Sequence, residues 1–201
     1  MNAFESVRKF ESAVAEYSSS KYAVAVDSCT NAIFLSCLYT NIKNKEVIIP
    51  CRTYPSVPCS IIHAGGIVKF RDYKWQGLYQ LEPFSIIDGA KRFKKNMYVK
   101  GTLHCLSFHI KKHIPIGRGG MILTDDYDAY KWLKKSRYDG RDEKPLIEDN
   151  FTMLGWNFYM TPEQASRGLL MMMNINDDNP DLEEIPDYPD LSKFEIYKEK
   201  V

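Results

Sequence analysis

Almost no net charge, no long apolar run and no paired cysteine motif are found in this sequence, and each absence removes a class of function. Lys and Arg total 27 against 26 Asp and Glu, a formal net charge of +1 at pH 7. Without a basic field, nucleic acid is not an expected partner. No stretch approaches the ~18 apolar residues that a membrane helix requires, so no membrane partner is expected either. Met1, Asn2, Ala3, Phe4, Glu5 and Ser6 do not form a charged start before an apolar core, so no signal peptide is expected. The five cysteines (Cys29, Cys37, Cys51, Cys59, Cys105) are odd in number and hold no CxxC pair. That fits reduced thiols in a cytoplasmic protein better than a disulfide frame or a metal site. The remaining composition, 44% apolar over 201 residues, is ordinary for one globular domain.

The periodicity of the chain alternates. Phe4, Val7, Phe10, Val14 and Tyr17 recur at helical spacing with charges between them, which predicts an amphipathic helix. Tyr22–Val26 is apolar and of strand length, and 32–39 reads as a buried helix. Glu46–Pro50 is a second strand, 57–64 a helix closed by Gly65 and Gly66, and 67–70 a third strand. Repeated strand–helix alternation predicts an α/β fold, a three-layer, mainly parallel sheet flanked by helices. Residues 72–83 are polar and aromatic and read as a loop. A short strand at 84–87 runs into Asp88, and 102–108 and 120–124 read as paired strands. A helix follows the acidic run at 125–128, with Lys131, Lys134, Lys135 and Arg137 as its solvated face. Thr161 and Pro162 suit the N-cap and first position of a last helix. From 176 to 190 there are seven acidic residues, three prolines and no basic residue. This composition predicts a flexible acidic tail at 176–201 behind a domain at 1–175.

Ligands of such sheets sit beyond the carboxyl ends of the strands, and the chemically suggestive residues lie there. Asp27, Ser28, Cys29, Thr30 and Asn31 stand between a strand and a helix, where free N–H groups and the helix dipole favour a phosphate. Plain N-capping accounts for the same residues. Asp88 precedes Gly89 at another strand end, which a simple turn also explains. Ser107, His109, Lys111, Lys112 and Gly119–Gly120 lie in and around a loop. Its lysines are either solvated or held near an electrophile as nucleophiles.

Taken together these pieces resemble the DegT/DnrJ/EryC1/StrS sugar aminotransferases, fold-type I pyridoxal phosphate (PLP) enzymes. The resemblance runs from about Phe10 to Leu170. It is carried by 26–32, by 47–50 with Thr53 and Tyr54, by 87–90, by Ser107, Phe108 and His109 with Lys112 and Gly119–Gly120, and by 155–160 with Gln164 and Ala165. It implies the large domain of such an enzyme. Lys112 takes the place of the lysine that condenses with the PLP aldehyde and later shuttles a proton. Asp88 matches the aspartate that keeps the pyridine nitrogen protonated. Tyr54 matches the ring that stacks on the cofactor, and Cys29, through its backbone N–H, Thr30 and Ser107 match its phosphate cradle, to which the Ser28 hydroxyl would add a contact. Asn157 matches an asparagine reaching the phosphate from a second subunit, which implies a homodimer with shared sites. The implied reaction moves an amino group from an amino acid, expected to be glutamate, to a keto-sugar nucleotide or similar carbonyl. Lysine rather than histidine at 112 favours transamination over the dehydration some members perform.

The chain also departs from that pattern. Residues 72–86 leave no room for a strand–helix unit that members carry, and after Leu170 nearly all of their small C-terminal domain is missing. Lys91 stands near the cofactor, where histidine or glutamine is usual, as a second amine that competes with Lys112 or alters it. Arg118 replaces an acidic residue, Tyr159 an arginine and Cys29 a glycine, which matters if that turn needs positive φ. The alternative reading is a non-catalytic homologue, or one half of a hetero-oligomeric enzyme.

Overall fold

The computed structural model describes residues 4–183 and 188–197. Its elements are α1 (Glu5–Ser18), β1 (Tyr22–Val26), α2 (Cys29–Tyr39), β2 (Glu46–Pro50), α3 (Ser56–His63), β3 (Ile67–Arg71), β4 (Tyr79–Gln80), β5 (Ile86–Asp88), β6 (Leu103–Ser107), β7 (Gly120–Thr124), α4 (Tyr127–Ser136) and α5 (Pro162–Met172). Five strands pair in the order β1-β7-β6-β5-β4, and β2 pairs with β3. The antiparallel bridge Ile48↔Glu82 joins the two sets just beyond β4.

Strand directions follow from the pairings. β1 and β6 both run antiparallel to β7, β5 is parallel to β6, and β2 is parallel to β3. β4 and the Glu82 bridge run against β5 and β2 respectively, so β1, β6, β5, β2 and β3 point one way. The α/β architecture is as expected, but the neighbouring pairs are mixed because β7 and β4 are interposed with opposite sense. The segment at 72–83, expected to be a loop, supplies β4 and closes the gap between β5 and β2. Consequently the carboxyl ends of β1, β2, β5 and β6 lie on one sheet edge, together with the starts of β4 and β7.

Alternation along the strands divides the interior into two cores, one per face. Val24 and Val26 of β1 pack with Ile33 and Leu35 of α2, Ile61 of α3 and Leu133 of α4. Ala23 and Ala25 face the other side, with Val7, Phe10 and Val14 of α1 and Ala165 of α5. Helix ends are set locally. Ser19 closes α1 in the left-handed region at φ 63°, and Thr161 and Gln164 form a capping box ahead of Pro162.

One expectation fails on the face of α4. Arg137 is only 1% exposed, and it pairs with Glu11, itself buried on α1. Lys134 reaches both Glu11 and Glu143, at 3.2 and 2.7 Å. Glu11 also accepts the Ala25 N–H at 2.9 Å, and Arg137 donates to the Ala25 carbonyl. Two side chains thus satisfy the backbone of β1 at Ala25, next to the point where Tyr159 bridges Val26. Helical spacing alone assigned these basic residues to solvent, because Glu11 lies far away in sequence and Glu143 lies beyond the helix.

The acidic stretch is likewise held against the body wherever it is described. Asp181 receives two hydrogen bonds from Arg92 at 2.8 and 2.6 Å, and Leu182 N–H donates to Lys91 O at 2.9 Å. The Asn179 amide, buried, donates to Phe93 O at 2.8 Å. Leu191 is buried, and its N–H donates to Cys51 O. Composition suggested a loose tail because few apolar residues are available, but paired charge and backbone hydrogen bonds anchor it instead.

His104 on β6 is fully buried against Gly89, where an added Cβ would fall 2.2 Å from its Nε2. Among the described residues neither of its ring nitrogens has a hydrogen-bond partner. Burial, with Arg92 nearby, lowers its pKa to about 4 from 6.5. Between these values the unfolded chain binds a proton that the folded chain refuses, so stability falls as pH drops from 6.5 toward 4. The loss expected from this group is about 3 kcal/mol. Urea melts at the two ends of that window check it: His104→Leu should flatten the difference, and an equal pH dependence in variant and wild type would refute it.

Candidate active site

The shared strand edge opens into a cavity of about 480 Å³. Ser28, Cys29, Thr30, Tyr54, Asp88, Lys91, Ser107 and Lys112 all line it. Asn157 does not. It is exposed, pairs across an isolated bridge with Tyr138, and donates to Asp139 Oδ2 at 3.3 Å.

At one end of the cavity α2 begins. Ser28 caps it by accepting the Asn31 N–H, and the N–H groups of Cys29 and Thr30, in the first helical turn, have no intrahelical acceptor. Cys29 is the first helical residue and is not among those with positive φ, so the turn does not need glycine there. The restriction falls on Gly120 instead, where a Cβ would lie 2.5 Å from Cys29 N and 2.4 Å from Ser28 C. The start of β7 presses backbone to backbone on this turn, and any side chain would displace it. Thr30 Oγ1 donates to Ser56 Oγ at 2.9 Å, and Arg118 pairs with Asp27 at 2.9 Å beneath the turn. That pairing gives Arg118 a local role, and Tyr159 packs edge-on against Phe4 and Tyr138.

Asp88 lies at the end of β5, 4% exposed. It accepts the Ala90 N–H on Oδ1 at 3.0 Å and the Tyr79 O–H on Oδ2 at 2.9 Å. Burial pushes its carboxyl above the usual carboxylate range; the Ala90 and Tyr79 hydrogen bonds and the charges of Lys112 and Lys91 pull it back. Lys112 is half-buried on the loop between β6 and β7, in a turn closed by its N–H donating to His109 O at 2.8 Å. Lys91, 3% exposed, holds Nζ 4.8 Å from the Trp75 ring and 4.9 Å from that of Tyr188. Tyr54 stands at the mouth, 58% exposed, edge-on to Tyr188. Sequence reading missed Thr53, Trp75, Tyr79 and Tyr188. Thr53 was visible beside Tyr54, but the other three came from stretches read as loop and tail.

A carboxylate on the floor, an amine on the wall, a helix start with hydroxyls at one end and aromatic rings above make a donor set for a small, flat, phosphorylated aromatic ring. Comparison with known proteins points the same way. The sequence pattern of the DegT/DnrJ/EryC1/StrS aminotransferase family matches residues 1–86 and 89–187. The chain belongs to the DegT/DnrJ/EryC1/StrS aminotransferase family. One relative in this family is the UDP-4-amino-4,6-dideoxy-N-acetyl-beta-L-altrosamine transaminase of Campylobacter jejuni, 22% identical, covering 92% of this chain and 61% of the relative. Helicobacter pylori PseC, an aminotransferase involved in the biosynthesis of pseudoaminic acid, superposes with a TM-score of 0.73 at 17% identity, over 84% of this chain and 57% of that one. The sugar aminotransferase Spr1654 of Streptococcus pneumoniae, solved in a PLP form, gives a TM-score of 0.67 at 16% identity over 84% and 59%. The chain therefore spans about six-tenths of the length of these similar proteins. Pyridoxal phosphate is the cofactor of the DegT/DnrJ/EryC1/StrS family, and the residues of this cavity fit it.

Proposed function

We propose that this chain is a PLP-dependent aminotransferase that moves an amino group from an amino acid, glutamate in the first instance, to a keto-sugar nucleotide or a carbonyl compound like it. The observation that carries this reading is the convergence of Lys112 and the buried Asp88 on one cavity beside the start of α2. Bound there, the cofactor supplies an aldehyde carbon that takes up the amino group and a ring that accepts electrons. Lys112 Nζ would be the amine that holds the cofactor and moves a proton for the reaction. Asp88 holds a proton at the ring nitrogen. The N–H groups of α2, with the hydroxyls of Ser28, Thr30 and Ser107, hold the phosphate. Tyr54 covers the ring.

Lys111 brings positive charge to the cavity wall, with the Asp27-paired Arg118 beside it, which suits the carboxylate of an amino acid and the diphosphate of a nucleotide sugar. The altrosamine transaminase of Campylobacter jejuni supports a sugar nucleotide as acceptor. We also propose a homodimer with shared sites. Asn157 lies outside its own chain's cavity, and the nearby loop exposes Ile147 and Leu154 at 93% and 90%. Five free thiols accord with a cytoplasmic setting.

The test is direct. Purified protein mixed with PLP should turn yellow, bleach when glutamate is added, and regain colour with a keto acid. Protein that stays colourless in excess PLP would remove the enzyme reading and leave a non-catalytic homologue or one half of a larger assembly.

A further inference from the structure

We propose that Tyr79 is a positioning residue that fixes the Asp88 carboxylate through a buried chain of hydroxyls beginning at Thr53. The inference rests on the PLP reading above and extends it to residues outside the set expected from the sequence. Tyr79 and Asp88 are register partners in the antiparallel β4–β5 pair, so their side chains stand side by side on one face of the sheet. Tyr79 is 4% exposed and Thr53 is fully buried. Tyr79 O–H lies 2.9 Å from Asp88 Oδ2, and Thr53 Oγ1 lies 2.6 Å from the Tyr79 oxygen.

Counting protons fixes the direction of this chain. An ionised carboxylate can only accept, so the single Tyr79 hydroxyl proton goes to Asp88. The short contact to Thr53 then requires Thr53 to donate to Tyr79. Such a chain polarises along its length and strengthens its last bond. Asp88 Oδ1 takes the Ala90 N–H, and Oδ2 takes Tyr79. Each oxygen keeps a further lone pair for the ring N–H of the cofactor. Trp75 packs edge-on against the Tyr79 ring at 4.7 Å and holds the phenol in place.

Removing the phenolic hydroxyl takes a donor from a carboxylate that is only 4% exposed. Asp88 would then draw the ring-nitrogen proton toward itself, and the ring would withdraw electrons less strongly. Tyr79→Phe keeps the ring and its packing on Trp75, so packing and hydrogen bonding can be separated.

The experiment uses the full chain and PLP alone. Affinity is read from quenching of tryptophan fluorescence, and protonation from the ring-nitrogen NMR resonance of isotopically labelled PLP. Tyr79→Phe should weaken PLP binding roughly ten- to hundred-fold, the value of one hydrogen bond to a charged group. It should also move the ring-nitrogen resonance toward the unprotonated position, which a purely structural role would not do. Thr53→Val should move both readouts in the same direction by less. A folded Tyr79→Phe protein with wild-type affinity and resonance overturns the inference. Should Tyr79→Phe fail to fold, Thr53→Val decides: a shift in both readouts supports the chain of hydroxyls, and none overturns it. Wild-type protein that takes up no PLP overturns the proposed function and this inference with it. Wild-type binding beside an unchanged Tyr79→Phe overturns this inference alone.

Discussion

Lys112→Ala protein is expected to retain no PLP after borohydride treatment and denaturation, whereas wild-type protein should carry one cofactor, fixed at Lys112. Of the three lysines that line the cavity, Lys91 and Lys112 are the two whose charges act on Asp88, and their surroundings separate their roles. Lys91 Nζ sits between the Trp75 and Tyr188 rings, contacts that reward an ammonium and not a free amine. Lys112 stands on a half-buried loop with no ring pinning it in this way among the described residues, and is the better placed to attack an aldehyde. Activity should fall roughly 10³-fold or more, because the same amine also moves the proton. Peptide mapping of the reduced protein checks the assignment. A label found on Lys91 in wild type, or colour surviving in Lys112→Ala, would transfer the role to Lys91.

The second large effect expected is on stability. Arg137→Met should cost about 3–5 kcal/mol, because it leaves Glu11 buried with a lost partner and the Ala25 carbonyl without its donor. Lys134 still reaches Glu11 at 3.2 Å, but from one oxygen only. Against the total of about 5–15 kcal/mol typical of a domain, the loss is large. For a chain of this size it corresponds to a fall in melting temperature of about 10 °C. Calorimetry or urea unfolding measures it, and a loss below about 1 kcal/mol would show that the pair is solvated in solution as an exposed ion pair would be. The network also holds β1 at Ala25, two residues before the turn that opens α2.

The rules of short spacing made much of this protein legible in its sequence. A helix face repeats within four residues and a strand face within two, so α1, β1, β2, α3 and α5 could be read directly. Caps are also local: Ser28, Asp126 and Thr161 each accept an N–H at the start of the helix they precede. Because strands followed by helices place their carboxyl ends on one edge, the sequence also assigned Ser28, Thr30, Asp88, Ser107 and Lys112 to a common edge, and they line one cavity there. Only the tertiary structure decided what faces those residues. Tyr79 meets Asp88 through the register of a two-residue strand that no local pattern announces. Arg137 finds Glu11 across 126 positions, and Tyr188 comes to Lys91 from a stretch whose composition resembled disorder. Spacing fixes which face a residue takes; pairing between distant segments depends on how whole elements dock, and that information is spread over the entire chain.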